Sequence, residues 1–199
     1  MIQYGIIILA AGGSSRLGKP KQLLPYRRKS LLANITIQAL AVPDTFTIVV
    51  TGAENEAVEE ELKATGVATC YNAAWVSGMS SSIQKGLLEL KNRYEVKACI
   101  VAVCDQPFVT TAILNNLIKK HIVTGKGIIA SSYAGVSGTP SLFSKKYFED
   151  LLHLEGNEGA KKLLAKYESD VLTVPFNKGE IDIDTPEDYD NLIRSAYPA

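Results

Sequence analysis

The chain has 199 residues, 46% of them apolar and 21% charged, which suits one compact domain spanning residues 1–199 with a substantial core. Lys+Arg and Asp+Glu both number 21, so no net field points to a nucleic-acid backbone or an anionic membrane as partner, and a small-molecule ligand fits better. Cys70, Cys99 and Cys104 have neither an even count nor CxxC spacing, which argues against a disulfide framework and a structural zinc site.

Residues 5–10 form a continuous apolar run of the kind expected for a strand buried on both faces. The apolar stretch from Ile6 to Ala11 has no basic leader and is too short for a signal-peptide core or a membrane span, so a cytoplasmic protein is expected. A glycine-containing loop follows, then a predicted helix over 31–40 closed by Pro43, and a second buried strand over 46–50. Residues 54–64 read as a polar-faced helix and 68–71 as a short strand. Residues 79–90 place Ile83, Leu87 and Leu90 on one helical stripe. Strand 99–103, helix 110–121 and strand 128–131 continue the alternation. Parallel strands need crossovers, so the pattern predicts an α/β fold: a three-layer sandwich of a mostly parallel sheet with helices on both faces. Beyond Gly135 the rhythm loosens. Helices are expected over 145–152, 159–167 and 186–195, and strands near 171–174 and 181–183 would add an antiparallel edge.

Ligands of such sheets bind beyond the carboxyl ends of the strands, so the loops there carry the chemistry. The first loop runs Leu9-Ala10-Ala11-Gly12-Gly13-Ser14-Ser15-Arg16-Leu17-Gly18-Lys19-Pro20-Lys21. Small residues let backbone N–H groups approach phosphate oxygens, and Arg16, Lys19 and Lys21 balance a polyphosphate, which a mere surface turn leaves unexplained. Gly13 to Lys19 fits the opening of a Walker A pattern, but Pro20 stands where a metal-binding hydroxyl is required, so a P-loop is rejected.

The second strand end carries Cys104-Asp105-Gln106-Pro107. Asp105 on the same edge as a triphosphate is a sensible magnesium ligand, and Thr110 or Thr111 is available to cap the next helix. Asp182 and Asp184 lie two apart, so in an extended strand both carboxylates face one side. Either could complete the metal shell. Equally, the pair could serve the helix start at Thr185-Pro186-Glu187-Asp188, where Thr185 suits an N-cap and Pro186 the first helical position.

Together, LAAGGSSRLGKPKQLLP, the CDQP tetrad, GTP at Gly138-Thr139-Pro140 and DIDTPEDY resemble the MobA-like nucleotidyltransferases, most closely the molybdenum cofactor cytidylyltransferases. The resemblance implies a Rossmann-like fold, CTP or another nucleoside triphosphate as donor, Mg²⁺ as cofactor and a molybdopterin-type acceptor, with a molybdoenzyme or its chaperone as a protein partner. It puts Leu9, Ala10, Ala11, Gly12, Gly13, Ser14 and Arg16 around the nucleotide, Lys21 as the charge nearest the reacting phosphate, and Asp105 as principal magnesium ligand. Arg16, Lys21 and Asp105 are then the catalytic groups, with Asp182 or Asp184 as second metal ligand. The segment NAAWVSGMSSS looks like the family's nucleoside segment, giving Asn72, Ser80, Ser81 and Ser82 as nucleotide contacts; a helix start rich in capping residues reads the same way. Gln106, Gly138, Thr139, Pro140 and Asn157 fall on the acceptor side. The family commonly carries a GD motif followed by GAR, where this chain reads Gly156-Asn157-Glu158-Gly159-Ala160-Lys161. The expected reaction is transfer of CMP from CTP to the acceptor with release of pyrophosphate. Alternatives are GTP as donor, a sugar or polyol phosphate as acceptor, or a non-catalytic molybdenum cofactor carrier.

Overall fold

The computed structural model describes residues 3–196. The chain runs β1 (Tyr4–Leu9), a hairpin of β2 (Pro25–Tyr26) and β3 (Lys29–Ser30), α1 (Leu31–Leu40), β4 (Thr45–Thr51), α2 (Asn55–Leu62) and β5 (Ala68–Tyr71). It continues through α3 (Met79–Arg93), β6 (Ala98–Val103), α4 (Thr111–Thr124), β7 (Ile128–Tyr133), β8 (Val136–Ser144), α5 (Phe148–Leu152), α6 (Lys161–Lys166), β9 (Val171–Pro175) and α7 (Pro186–Ala196).

Seven strands form one sheet in the order β5-β4-β1-β6-β8-β7-β9, and β2 pairs with β3 separately. Every residue of β1 is buried because helices cover both sheet faces. Successive strand side chains alternate between faces. Ile6 and Ile8 therefore pack with Leu32 and Ile35 of α1, Val58 of α2 and Leu114 and Leu117 of α4. Ile7 and Leu9 pack instead with Ile83 and Leu87 of α3, Leu151 of α5 and Leu163 of α6. Truncating a side chain such as Leu87, with 0% exposure, costs about 2–5 kcal/mol in a core of this kind. Ser30 starts α1 by accepting the Ala33 N–H, and Thr110 does the same for α4 through Ile113. Gly125 ends α4 in the left-handed conformation.

The three-layer, mostly parallel architecture is the one the sequence pattern predicts. The antiparallel strand, however, lies inside the sheet and not at its edge. β8 sits between β6 and β7, antiparallel to both, whereas the edge strand β9 runs parallel to β7. β8 escapes a pattern search because its first half is Val-Ser-Gly-Thr-Pro, with no run of β-forming apolar residues. Proline is accommodated there by a register shift: Ala130 faces Ser141 while Ser131 faces Gly138, leaving Thr139 and Pro140 bulged out of the ladder. Residues 181–183 pair with no strand; Ile183 is buried among Leu17, Leu24, Tyr26, Leu31 and Leu192, which fastens α7 to the β2–β3 hairpin.

Candidate active site

The carboxyl ends of β1, β4, β5 and β6 share one edge of the sheet, and the reversed direction of β8 brings Gly138, Thr139 and Pro140 to it as well. A cleft of about 370 Å³ opens there, lined by Leu9, Ala10, Ala11 and Gly12 at the end of β1, by Lys21 and Gln22, by Trp75, Val76 and Met79, and by Ser82, Asp105 and Asn157. Larger clefts of about 460 Å³ beside Arg27 and about 580 Å³ beside Lys178 contain none of these residues.

Lys21 is the centre of the charge arrangement. Its Nζ lies 2.5 Å from Asp105 Oδ2 and 2.9 Å from Asp184 Oδ1, and Arg16 pairs with Asp184 Oδ2 at 2.8 Å. Burial alone would lower the Lys21 pKa, but the charge and hydrogen bond of Asp105, helped by Asp184, outweigh it and raise it well above the usual lysine range. Burial pushes the Asp184 carboxyl up while Lys21 and Arg16 pull it down, and the two cations prevail. Arg16 is mostly exposed, so its pairing is screened and weaker than that of Lys21.

Asp105 is held by the turn after β6, and its carbonyl accepts the Ile183 N–H at 3.1 Å, which brings the 181–184 segment alongside. The helix start beyond is capped without Asp184 or Asp182. The Asp188 carboxylate accepts from the Thr185 N–H (2.8 Å) and hydroxyl (2.7 Å), and the Thr185 hydroxyl accepts from the Asp188 N–H (3.2 Å), a reciprocal capping box. The 181–184 segment is not a strand, so strict alternation does not apply to the two aspartates. Asp184 turns to Lys21, whereas Asp182 lines a separate cleft of about 300 Å³ with Phe108 and Asp188. Burial, then the charges of Asp105 and Asp184, raise the Asp182 pKa.

Among the described residues no three His, Cys, Asp or Glu side chains converge as a metal cluster. Two carboxylates do converge: Asp105 and Asp184 both reach the Lys21 ammonium, so both already address one cation. Oxygen donors of this number suit magnesium or manganese, which take one or two carboxylates and complete the shell with water and phosphate. The residues fit such an ion once Lys21 leaves them. Thiol chemistry does not fit, since burial pushes Cys104 up to about 12. His121 and His153 each bond a nearby backbone carbonyl and do not line the cleft.

The nucleoside-segment residues divide by what they touch. Asn72 is buried; its Nδ2 donates to Ser81 Oγ (2.9 Å) and Ser82 Oγ (3.0 Å), and its Oδ1 accepts the Ala74 N–H. Ser80 donates to the Gly156 carbonyl and Ser81 to that of Gly78, so both hold the loop while Ser82 reaches the cleft wall. At Gly78, with φ of 104°, a side chain would strike the Gly156 backbone, and this close approach is what puts Asn157 beside the helix start. Gln106 is 4% exposed, and its Nε2 donates to the Gly179 carbonyl at 2.8 Å. Gln22 and the apolar lip of Trp75, Val76 and Met79 line the cleft beyond the residues expected there from the sequence. Their signals were a glutamine between Lys21 and an apolar pair, and large apolar residues in a segment otherwise small and polar.

An open, mainly parallel sheet with a glycine loop, a bridging lysine and an acidic turn at one edge defines an α/β nucleotide-handling enzyme. The chain belongs to the MobA-like NTP transferase family, whose domain matches residues 6–171, and is a nucleotidyltransferase. It is similar to the purine catabolism protein PucB of Bacillus subtilis, 26% identical with 95% of each chain covered. It is also similar to the molybdenum cofactor cytidylyltransferase of Escherichia coli, 25% identical with 92% of each covered. Among solved structures, Rv0371C of Mycobacterium tuberculosis in complex with manganese matches with a TM-score of 0.79 at 28% identity, covering 97% of this chain and 99% of that one. Among the described residues, no helix is long and apolar enough to cross a membrane.

Proposed function

We propose that the protein transfers CMP from CTP to a molybdopterin-type acceptor. The observation that carries this reading is Lys21, held between Asp105 and Asp184 on the floor of a cleft walled by the glycine loop. The similarity to a molybdenum cofactor cytidylyltransferase favours CTP and this acceptor, and a manganese-bound relative favours a divalent ion.

A terminal phosphate oxygen of the acceptor attacks the α-phosphorus of the nucleotide in line, the bond to the β-phosphate breaks, and pyrophosphate leaves. The attacking phosphate is ionised at neutral pH, so no general base is needed, consistent with a cleft lined by no histidine. Catalysis reduces to alignment and to neutralising charge on the phosphoryl oxygens. Lys21 exchanges its carboxylate partners for phosphate oxygens, Arg16 approaches from the exposed side, and Ala11, Gly12 and Gly13 offer backbone N–H groups. Asp105 and Asp184 would hold Mg²⁺, which supplies further neutralisation of the phosphates. Ser82 and the Asn72-braced loop shape the nucleoside end, while Asn157 and the Gly138-Thr139-Pro140 segment are assigned to the acceptor. A second reading, another phosphorylated acceptor, is favoured by Asn157, a neutral residue on the cleft wall where the family commonly has an aspartate. Incubating the protein with labelled CTP and either molybdopterin or a panel of sugar and polyol phosphates separates the two. Label transferred only to molybdopterin supports the first, and label transferred only to a panel member overturns it.

A further inference from the structure

A glycine loop by itself has no preferred direction in which to present its N–H groups, because glycine tolerates many backbone conformations. Here the direction is set from behind by a side chain outside the loop. Gln22, in the single turn Lys21–Leu23, is polar yet 0% exposed. Its Nε2 donates to the carbonyl oxygens of Ala10 (2.8 Å) and Gly12 (2.7 Å), and its Oε1 accepts from the Ser14 hydroxyl (3.5 Å). Both amide protons are therefore committed to two alternate carbonyls of the loop. A trans peptide is planar, so the N–H that follows each carbonyl points the opposite way. With the carbonyls of Ala10 and Gly12 turned toward Gln22, the N–H groups of Ala11 and Gly13 are turned away from it. Among the described residues, the N–H groups of Ala11, Gly12 and Gly13 donate to no protein acceptor. Trp75 closes the arrangement from the other side, its ring 3.3 Å from the place a Gly13 side chain would occupy.

We infer that Gln22 is a positioning residue that fixes the loop carbonyls and thereby presets the Ala11 and Gly13 N–H groups for the oxygens of a polyphosphate. The inference rests on the nucleotide reading above. It separates Gln22 from a buried polar residue that merely stabilises the fold, since only the positioning role makes phosphate recognition depend on it more than nucleoside recognition does. Gln22→Met keeps the length of the side chain and removes both donors; Gln22→Asn keeps the donors and shortens the reach by one methylene, as a milder variant should the first not fold.

The test is an amide ¹⁵N–¹H titration of the full chain with inorganic tripolyphosphate, alongside one with cytidine. In the wild type, the Ala11, Gly12 and Gly13 resonances should shift with tripolyphosphate. Gln22→Met should weaken tripolyphosphate binding roughly 10- to 100-fold, the scale of one or two charge-assisted hydrogen bonds, and leave cytidine binding unchanged, with Gln22→Asn intermediate. Equal tripolyphosphate affinity in a folded variant, or a parallel loss for cytidine, overturns the Gln22 assignment alone. No shift of the three amides in the wild type overturns the inference together with the nucleotide reading.

Discussion

Lys21→Ala isolates the group on which the proposed chemistry leans most. In the wild type the ammonium is largely buried and stands 2.5 Å and 2.9 Å from two carboxylates, so it is already desolvated and aimed before substrate arrives. Two unit charges about 4 Å apart interact by about 4 kcal/mol at the effective dielectric of a partly buried site. Part of that attraction is present in the ground state, and the increment gained as charge develops between the α-phosphate and the departing pyrophosphate is about 3–4 kcal/mol for one preorganised donor. The substitution should therefore lower kcat roughly 10²- to 10³-fold, with a much smaller change in KM for the nucleotide. Steady-state kinetics at saturating Mg²⁺ and acceptor provide the assay. An unchanged kcat with a raised KM would mean that Lys21 contributes equally to ground and transition states and would remove it from the chemical step. The same variant frees Asp105 and Asp184 from their shared cation, so the nucleotide-free protein should bind Mn²⁺ more tightly by electron paramagnetic resonance; weaker binding would contradict the two-carboxylate fit.

Asp105→Asn should abolish turnover while the circular dichroism spectrum and melting temperature stay near wild type, because the backbone tether to Ile183 does not involve the side chain; near-normal activity in Mg²⁺ would remove it from the metal site. Asp184→Asn should raise the Mg²⁺ concentration needed for half-maximal rate and Asp182→Asn should not, since the latter faces the neighbouring cleft; the reverse order would exchange their roles. Asp188→Ala removes the reciprocal partner of Thr185 and should cost about 1 kcal/mol in chemical denaturation with little effect on metal dependence. For Asp170, burial would raise the carboxyl, but Lys146, Tyr147 and the Gly127 N–H hold it down at about 2, against 3.8 for the free group. Its contribution, about 1 kcal/mol after solvent screening, is therefore complete above pH 3.8 and lost as the pH falls through about 2. Asp170→Asn should destabilise at pH 7 and be near neutral at the acid end, and a pH-independent difference in stability would contradict this linkage.

How far the sequence reveals the molecule depends on whether a residue's role is written in its neighbours along the chain. β1 and β6 were legible because burial on both faces demands continuous apolar runs, and Lys21 and Asp105 because they follow those runs at strand ends. β8 was hidden by Gly138, Thr139 and Pro140, whose bulge makes sense only against β7. The different surroundings of Asp182 and Asp184 were equally illegible, since alternation holds only in a strand and the 181–184 segment is tied to Asp105 and the core instead. Asn72, Ser80 and Ser81 brace a loop, which matches the helix-start reading of their segment and leaves the nucleotide contact implied by the resemblance as a proposal, because short polar side chains serve either purpose. The one local sign of Gln22 is a polar residue set between Lys21 and an apolar pair. Its meaning lies in two carbonyls 10 and 12 residues back along the chain, brought within reach only when the loop closes.

The proposed transfer of a nucleoside monophosphate to a phosphorylated pterin is read out by pyrophosphate release. The protein is incubated with each of CTP, GTP, ATP and UTP in Mg²⁺, with and without molybdopterin, and pyrophosphate is followed continuously. Release is expected with CTP in far greater yield than with the other three, dependent on molybdopterin and stoichiometric with it. Release from no nucleotide when molybdopterin is present, or release from CTP at the same rate without it, would mean that the protein does not transfer CMP to molybdopterin.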